Sequence, residues 1–547
     1  MQRQRLFRRW QLHAAITLVT LLILTTITSA QEEATPMPDA TQESAASTAI
    51  VSVETGDLEG LVTDSYRYFL GIPYAAPPKG ELRWKSPQPA AAWDGVRDAT
   101  QPGSICPQAA EVFADVSSVE EDCLFLNVMT PLETSADALK PVMVWIHGGG
   151  GTNGAGSFFD AQRLVTAEDV IVVTINYRLG VFGAFAYPGL EGSGTFGLQD
   201  QQAALQWVQR NIASFGGDPQ NVTLFGESYG AFATTAQLVS PLSEGLFHRA
   251  IIQSGLGLLD YPAGMLMPGT EAIPSMWLSV EEGEGLGQII AEQLGCTDLA
   301  CLQALPVEAL LPVSSVFSRF VYGNDVLPED PVQALRNGNF HDVPVISGGT
   351  RDEARLFVGL FFDLAGQPVT EETYSQLLTA AFGDLAEQVA AEYPLSDYNS
   401  PSLAWATVIT DRVWALRTMQ QSRLLAAHVP TYAFEFADQD APPNLPFPPD
   451  FPPGAYHNSE VVYQFELAGE PAPLTDAQQQ FAAQMNHYWA NFARTGDPNS
   501  DDLPQWQPFD AAGIPPFVQA LAPGDSGIAP VDYAAEHRLD FWEGLGQ

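Results

Sequence analysis

The runs Pro141-Val142-Met143-Val144-Trp145-Ile146 and Val170-Ile171-Val172-Val173-Thr174-Ile175-Asn176-Tyr177 are apolar at almost every position. A strand with one wet face alternates apolar with polar residues. A continuous apolar run of strand length means that both faces are covered. Leu198 to Ile212 (LQDQQAALQWVQRNI) has helical spacing, with Leu198, Leu205, Val208 and Ile212 on one side, and Gly216-Gly217-Asp218-Pro219 stops it. Val222-Thr223-Leu224-Phe225 is a short strand, and a helix of small residues is expected from Tyr229. Buried strands alternating with helices predict an α/β architecture: one large, mostly parallel sheet with helices on both faces.

The chain has 547 residues, which at roughly 100–200 residues per domain would suggest three or four domains. From Ile50 onward, however, there is no linker-like segment and no internal repeat, so one large domain over 50–547 is expected. Residues 31–49 (QEEATPMPDATQESAASTA) are small, polar, acidic and free of aromatics, and read as a disordered linker. Residues 1–30 read as a secretory signal peptide. Arg3, Arg5, Arg8 and Arg9 precede the uncharged stretch Leu12 to Thr28, and Thr28-Ser29-Ala30 offers small residues for cleavage. The alternative is a retained anchor, which the five threonines between Thr17 and Thr28 weaken. Export suits the cysteines. Four of them, Cys106, Cys123, Cys296 and Cys301, allow three pairings, and the local one closes two short loops. Disulfides persist in oxidising compartments, so a secreted or extracytoplasmic protein is expected. None of the spacings is that of a zinc site.

Charge excludes one class of partner. With 23 basic against 65 acidic residues, the net charge is −42. A nucleic-acid binder needs basic groups to neutralise phosphates. The acidic surface reads as a solubility feature in preference to a device for steering cations.

Gly226-Glu227-Ser228-Tyr229-Gly230 is a GxSxG with a strand running in and a helix running out. That context makes Ser228 a candidate nucleophile on a strained turn, with glycines on either side so that strand and helix can approach. A serine hydroxyl needs a base. Of the eight histidines, His13 lies in the signal, His147 in a glycine turn, and His248, His341, His428, His487 and His537 in helix-like or amphipathic stretches. His457 lies in the turn-rich loop Pro453–Glu460, where catalytic groups tend to sit. Where a serine sits on such an elbow, the acid falls between it and the histidine in the chain. The stretch Val343 to Glu353 reads as a buried strand opening into a small-residue loop that ends in two acids, and composition does not choose between Asp352 and Glu353. His147-Gly148-Gly149-Gly150-Gly151 follows the strand ending at Ile146 and can aim backbone N–H groups at a substrate oxygen. No lysine follows it at the spacing of a phosphate-binding loop.

Taken together, the chain resembles the type-B carboxylesterases, the family of the cholinesterases and the bacterial para-nitrobenzyl esterases. The matching segments are Gly71 to Pro78, Glu121 to Val128, Asn176-Tyr177-Arg178, Gly197 to Gly230 and Gly349 to Phe357, and the resemblance extends over essentially all of 50–546. It implies an α/β-hydrolase fold and a serine carboxylic-ester hydrolase acting by two-step acyl transfer on small-molecule esters, with no metal or organic cofactor. Carried over by position, the triad is Ser228, Glu353 and His457. The oxyanion donors are the N–H groups of Gly149, Gly150 and Tyr229, and the disulfides are Cys106–Cys123 and Cys296–Cys301. No nucleic-acid partner is expected, and no stable membrane partner once the signal is removed. Oligomeric state is not legible. The chain departs from the family at three places. Tyr229 stands where Ala is common, so its ring is expected to narrow the mouth of the site. Gly151 stands where a large apolar residue is frequent, so the glycine loop is expected to be more mobile. The Cys106–Cys123 loop carries no Trp, so the cholinesterases' choline-binding residue has no counterpart and neutral esters are the expected substrates. Phe317, Phe320 and Tyr322 are equally open to lining an acyl pocket or packing in the core.

Overall fold

A computed structural model describes residues 47–546 except 113, 136 and 514. The expected signal peptide and residues 31–46 of the expected linker lie outside the described residues. Ser47, Thr48 and Ala49, read as the end of the linker, belong instead to the first strand. Their backbones pair in register with Val62, Leu61 and Gly60, which satisfies polar groups that composition alone does not reveal.

Thirteen strands form one sheet. In chain order they are β1 (Ser47–Val53), β2 (Gly56–Val62), β3 (Tyr66–Pro73), β4 (Val96–Asp98), β5 (Phe125–Pro131), β6 (Lys140–Ile146), β7 (Ile171–Ile175), β8 (Gly217–Glu227), β9 (Arg249–Gln253), β10 (Val345–Thr350), β11 (Thr431–Phe436), β12 (Val518–Leu521) and β13 (Ala529–Val531). Their spatial order is β1-β2-β3-β5-β7-β6-β8-β9-β10-β11-β12-β13, with β4 beside β2. From β7 to β12 every neighbouring pair is parallel. The N-terminal edge, β1 through β5 to β7, is antiparallel along the main path. The short connections between β1, β2 and β3 allow hairpins but are too short for crossovers.

The continuous apolar runs behave as both-face-buried strands should. Along β6, Val142, Val144 and Ile146 enter one hydrophobic core, while Met143 and Trp145 enter the core on the opposite face. Helix α1 (Phe196–Asn211) lays Leu198, Leu205 and Val208 into the first core, and Ile212 joins them from the 3₁₀ turn that follows. Asp200 of α1 is fully buried and receives Arg178 through two guanidinium bonds of 2.7 Å and the Arg178 backbone N–H at 3.0 Å, which ties the segment after β7 to the helix. Two disulfides, Cys106–Cys123 and Cys296–Cys301, have Cα separations of 4.9 and 5.4 Å. Among the described residues no helix is long and apolar enough to cross a membrane.

Candidate active site

Strand β8 and helix α2 (Tyr229–Val239) meet at Ser228, whose φ of 56° and ψ of −123° place a non-glycine residue in a strained conformation. The turn can be this tight only because its flanks lack side chains. A Cβ on Gly230 would strike the backbone of Ile146, and one on Gly226 would come within 2.5 Å of Gly230 C and 2.8 Å of Ile146 O. The Ser228 N–H donates to Gln253 O at 2.8 Å, fixing the elbow to β9. Ser228 Oγ stands clear of the sheet, at the start of α2.

The serine, histidine and glutamate named from sequence come together. His457 Nε2 lies 2.8 Å from Ser228 Oγ, and His457 Nδ1 lies 2.5 Å from Glu353 Oε2. The other Glu353 oxygen accepts the Thr350 N–H at 2.9 Å, which orients the carboxylate from the end of β10. The neighbouring acid points elsewhere. Asp352 pairs with Arg355 at 2.9 Å and accepts from Gln439 and from the Ala455 N–H at 2.6 and 3.0 Å. Asp352 therefore grips the loop that carries His457 without touching the imidazole.

Two groups escaped the sequence reading. Glu227, inside the GxSxG, places Oε1 3.2 Å from His457 Nε2 and accepts from Asn458 at 3.0 Å. Glu460, three residues after the histidine, is buried and accepts from Gln253 at 3.2 Å. Both lie beside residues that the sequence motifs single out, yet nothing in their spacing says which way the side chains turn. Burial lowers the affinity of His457 for a proton, but Glu353, Glu227 and Glu460 outweigh it and push the pKa up to about 9. Burial above all drives Glu227 and Glu460 toward their protonated forms. A proton on either glutamate weakens the field that holds the imidazolium, so the cluster titrates as a unit. Phe357 and Trp414 wall the outer side of His457, with ring centroids 5.1 and 6.0 Å away.

The glycine loop after β6 has three consecutive left-handed residues, Gly149, Gly150 and Gly151, at φ 98°, 63° and 74°. Among the described residues the N–H groups of Gly149 and Gly150 have no protein acceptor. Tyr229 N–H opens α2 and, as a first-turn donor, has no partner within the helix. His147, below the loop, is not a base candidate. Burial pulls its pKa down to about 4, and its ring stacks on Tyr177 at 4.5 Å. The aromatic loop divides. Phe320 packs 5.2 Å from Tyr229 and stacks on Phe232 at 5.6 Å, beside the elbow, whereas Phe317 packs on Phe185 at 5.3 Å.

The model of the family described as "Carboxylesterase family" matches residues 47–517. The chain is 36% identical over 473 residues to a cocaine esterase of Oryctolagus cuniculus, covering 81% of this chain and 85% of that protein. It is 33% identical over 511 residues to an acylcarnitine hydrolase of Mus musculus, covering 86% and 87%. A solved PNB esterase superposes with a TM-score of 0.73 at 30% identity, covering 90% of this chain and 99% of that chain.

Proposed function

This chain belongs to the carboxylesterase family, and from that premise we propose that Ser228, His457 and Glu353 divide the hydrolysis of a carboxylic ester as nucleophile, general base and orienting acid. Ser228 Oγ attacks the ester carbonyl carbon while His457 Nε2 takes its proton. The carbonyl oxygen becomes an oxyanion held by the N–H groups of Gly149, Gly150 and Tyr229. As the intermediate collapses, the bond to the alkoxy oxygen breaks, and His457 hands its proton to the leaving alcohol. Water then loses a proton to His457 and attacks the acyl-serine, and return of that proton to Ser228 Oγ releases the acid. Glu353 holds the imidazole with Nε2 toward the serine and stabilises its charged form.

The observation that carries the reading is the unbroken line of contacts from Ser228 Oγ through both nitrogens of His457 to Glu353, at 2.8 and 2.5 Å. The family acts on small-molecule esters. We place neutral esters ahead of choline esters, because the Cys106–Cys123 loop, where the cholinesterases carry their choline-binding Trp, has none here, and such an indole face is worth roughly 0.5–2 kcal/mol. In high salt, kcat/KM for a choline ester should not exceed that for its neutral isostere. The two disulfides fit an oxidising compartment, and we assign the protein to the secreted or extracytoplasmic space. Covalent labelling tests the central claim. A fluorophosphonate should form a one-to-one adduct on the Ser228 peptide and stop ester hydrolysis, and stoichiometric labelling of a different serine would overturn it.

A further inference from the structure

We infer that the side chain of Tyr229 is a positioning residue that holds the glycine loop in its working shape by packing into the space left open at Gly151. The inference rests on the reading above, in which Gly149, Gly150 and Tyr229 supply the oxyanion donors.

The glycine loop has little shape of its own. Gly149, Gly150 and Gly151 all have positive φ, and glycine populates both signs of φ with similar ease. Among the described residues its backbone bonds hold it at two points: Gly149 O accepts from Thr152 and Asn153 N–H at 3.1 and 3.2 Å, and Gly151 O accepts from Gly180 N–H at 2.7 Å. The peptide between them, from Gly150 C=O to Gly151 N–H, has no hydrogen bond of its own among the described residues, so the segment just after the Gly150 N–H is held by packing alone.

What lies against this stretch is the ring of Tyr229. A Cβ added to Gly151 would meet three ring carbons of Tyr229, Cζ, Cε2 and Cε1, all closer than 3.0 Å. The ring is fixed in turn by Phe320 and Phe232, with centroids 5.2 and 5.6 Å away, and is only 7% exposed. Its hydroxyl has no hydrogen-bond partner among the described residues, so the contact is one of shape. Tyr229 thus contributes twice. Its N–H is one donor, and its ring sets the position of the loop that carries the other two. The two departures from the family pattern, Tyr229 and Gly151, thus meet in one contact in which the ring backs the loop.

A double-mutant cycle reads this directly. Kinetics on a short-chain para-nitrophenyl ester, with the full chain and active sites counted by fluorophosphonate titration, separate kcat from KM. Tyr229→Phe keeps the ring and should therefore lose less kcat than Tyr229→Ala. Tyr229→Ala should lower kcat by about 10–100-fold with KM within about threefold, since loss of one well-placed oxyanion donor costs ~10²–10³-fold. Gly151→Ala should cost clearly more when Tyr229 is present than when added to Tyr229→Ala, because the two changes share one contact and only the strain of a side chain at positive φ remains in the second background. If Tyr229→Ala does not accumulate as folded protein, Tyr229→Leu carries the same cycle. It keeps apolar bulk near Phe320 but cannot reach Gly151. Equal cost of Gly151→Ala in both backgrounds, or a Tyr229→Ala effect confined to KM, overturns the inference. Normal fluorophosphonate labelling at Ser228 in the same proteins shows that the failure lies with Tyr229 and not with the serine reading.

Discussion

His457 and His537 occupy closely similar electrostatic settings, and the contrast between them separates what makes a histidine charged from what makes it a base. His457 lies between Glu353 at 2.5 Å and Glu227 at 3.2 Å. His537 lies between Glu435 at 2.5 Å and Asp411 at 2.7 Å. Both are buried, and for both the carboxylates outweigh the burial that opposes the imidazolium, pushing His457 up to about 9 and His537 up to about 10. The difference lies in the remaining neighbours. His457 shares one nitrogen with Ser228 Oγ and faces the aromatic wall of Phe357 and Trp414. His537 spends both nitrogens on carboxylates, and Tyr533 covers its ring at 4.5 Å. Asp411 is further engaged by Tyr393 at 2.8 Å and Arg538 at 3.3 Å. The two sites also share a segment, because Asp411 and Trp414 belong to the same π-helical turn, Thr410–Ala415. A histidine between acids is thus a structural clamp in one place and, with a serine hydroxyl on its second nitrogen, the proposed base in the other.

The comparison breaks most sharply at the serine. Ser228→Ala should lower kcat by ~10⁴–10⁶-fold while the protein stays folded. Ordinary turnover by a folded Ser228→Ala protein would mean that the His457 site is as structural as the His537 one.

Next come the paired acids. Glu353→Gln should cost about 10⁴-fold in kcat, since an amide neither stabilises the imidazolium nor enforces the right tautomer. Asp352→Asn, which alters contacts to Arg355, Gln439 and the Ala455 N–H but none to the imidazole, should cost less than about tenfold, in the range of an ordinary loop change. The reverse order would put the orienting acid one residue earlier.

At the clamp the readout is stability. His537→Gln leaves Glu435 without its cation and Asp411 with Arg538 alone, and should cost about 3–5 kcal/mol, as breaking a buried pair does. Calorimetry or denaturant titration measures this loss, and kcat per titrated site should stay within about threefold. The clamp's pH sign is fixed. Its folded pKa lies above the ordinary 6.5, so its contribution is complete below about pH 6.5 and lost as pH rises through about 10. The wild-type Tm should therefore fall through this alkaline range more steeply than that of His537→Gln, and equal slopes would remove the clamp.

The smallest effect concerns pH and rate. The proposed base, His457, works without its proton, so kcat/KM should rise with pH along an acid limb lying above 6.5, the ordinary histidine value. Glu227→Gln removes a negative neighbour, destabilises the imidazolium and should move that limb to lower pH. A limb that stays in place or moves up would show that Glu227 does not act on His457.

The amino-acid sequence by itself determined the features that reside in a few contiguous residues. Unbroken apolar runs require strands buried on both faces. A serine flanked by glycines between a strand and a helix requires an elbow, and a glycine run at a strand end permits consecutive positive φ angles. Each is a local backbone constraint written in adjacent side chains. Only the tertiary structure decided where side chains on those elements turn. Asp352 and Glu353 are neighbours of like charge, and what separates them is a loop roughly a hundred residues further along, which meets one carboxylate with an imidazole and the other with a backbone N–H. Of the histidines, His537 reads as amphipathic filler until Asp411 and Glu435 close on it from two other elements. Tyr229 and Gly151 appear as separate oddities until the fold lays one against the other. In each case the deciding contact joins segments far apart in the chain, and its energy depends on packing and burial that exist only once the sheet has assembled.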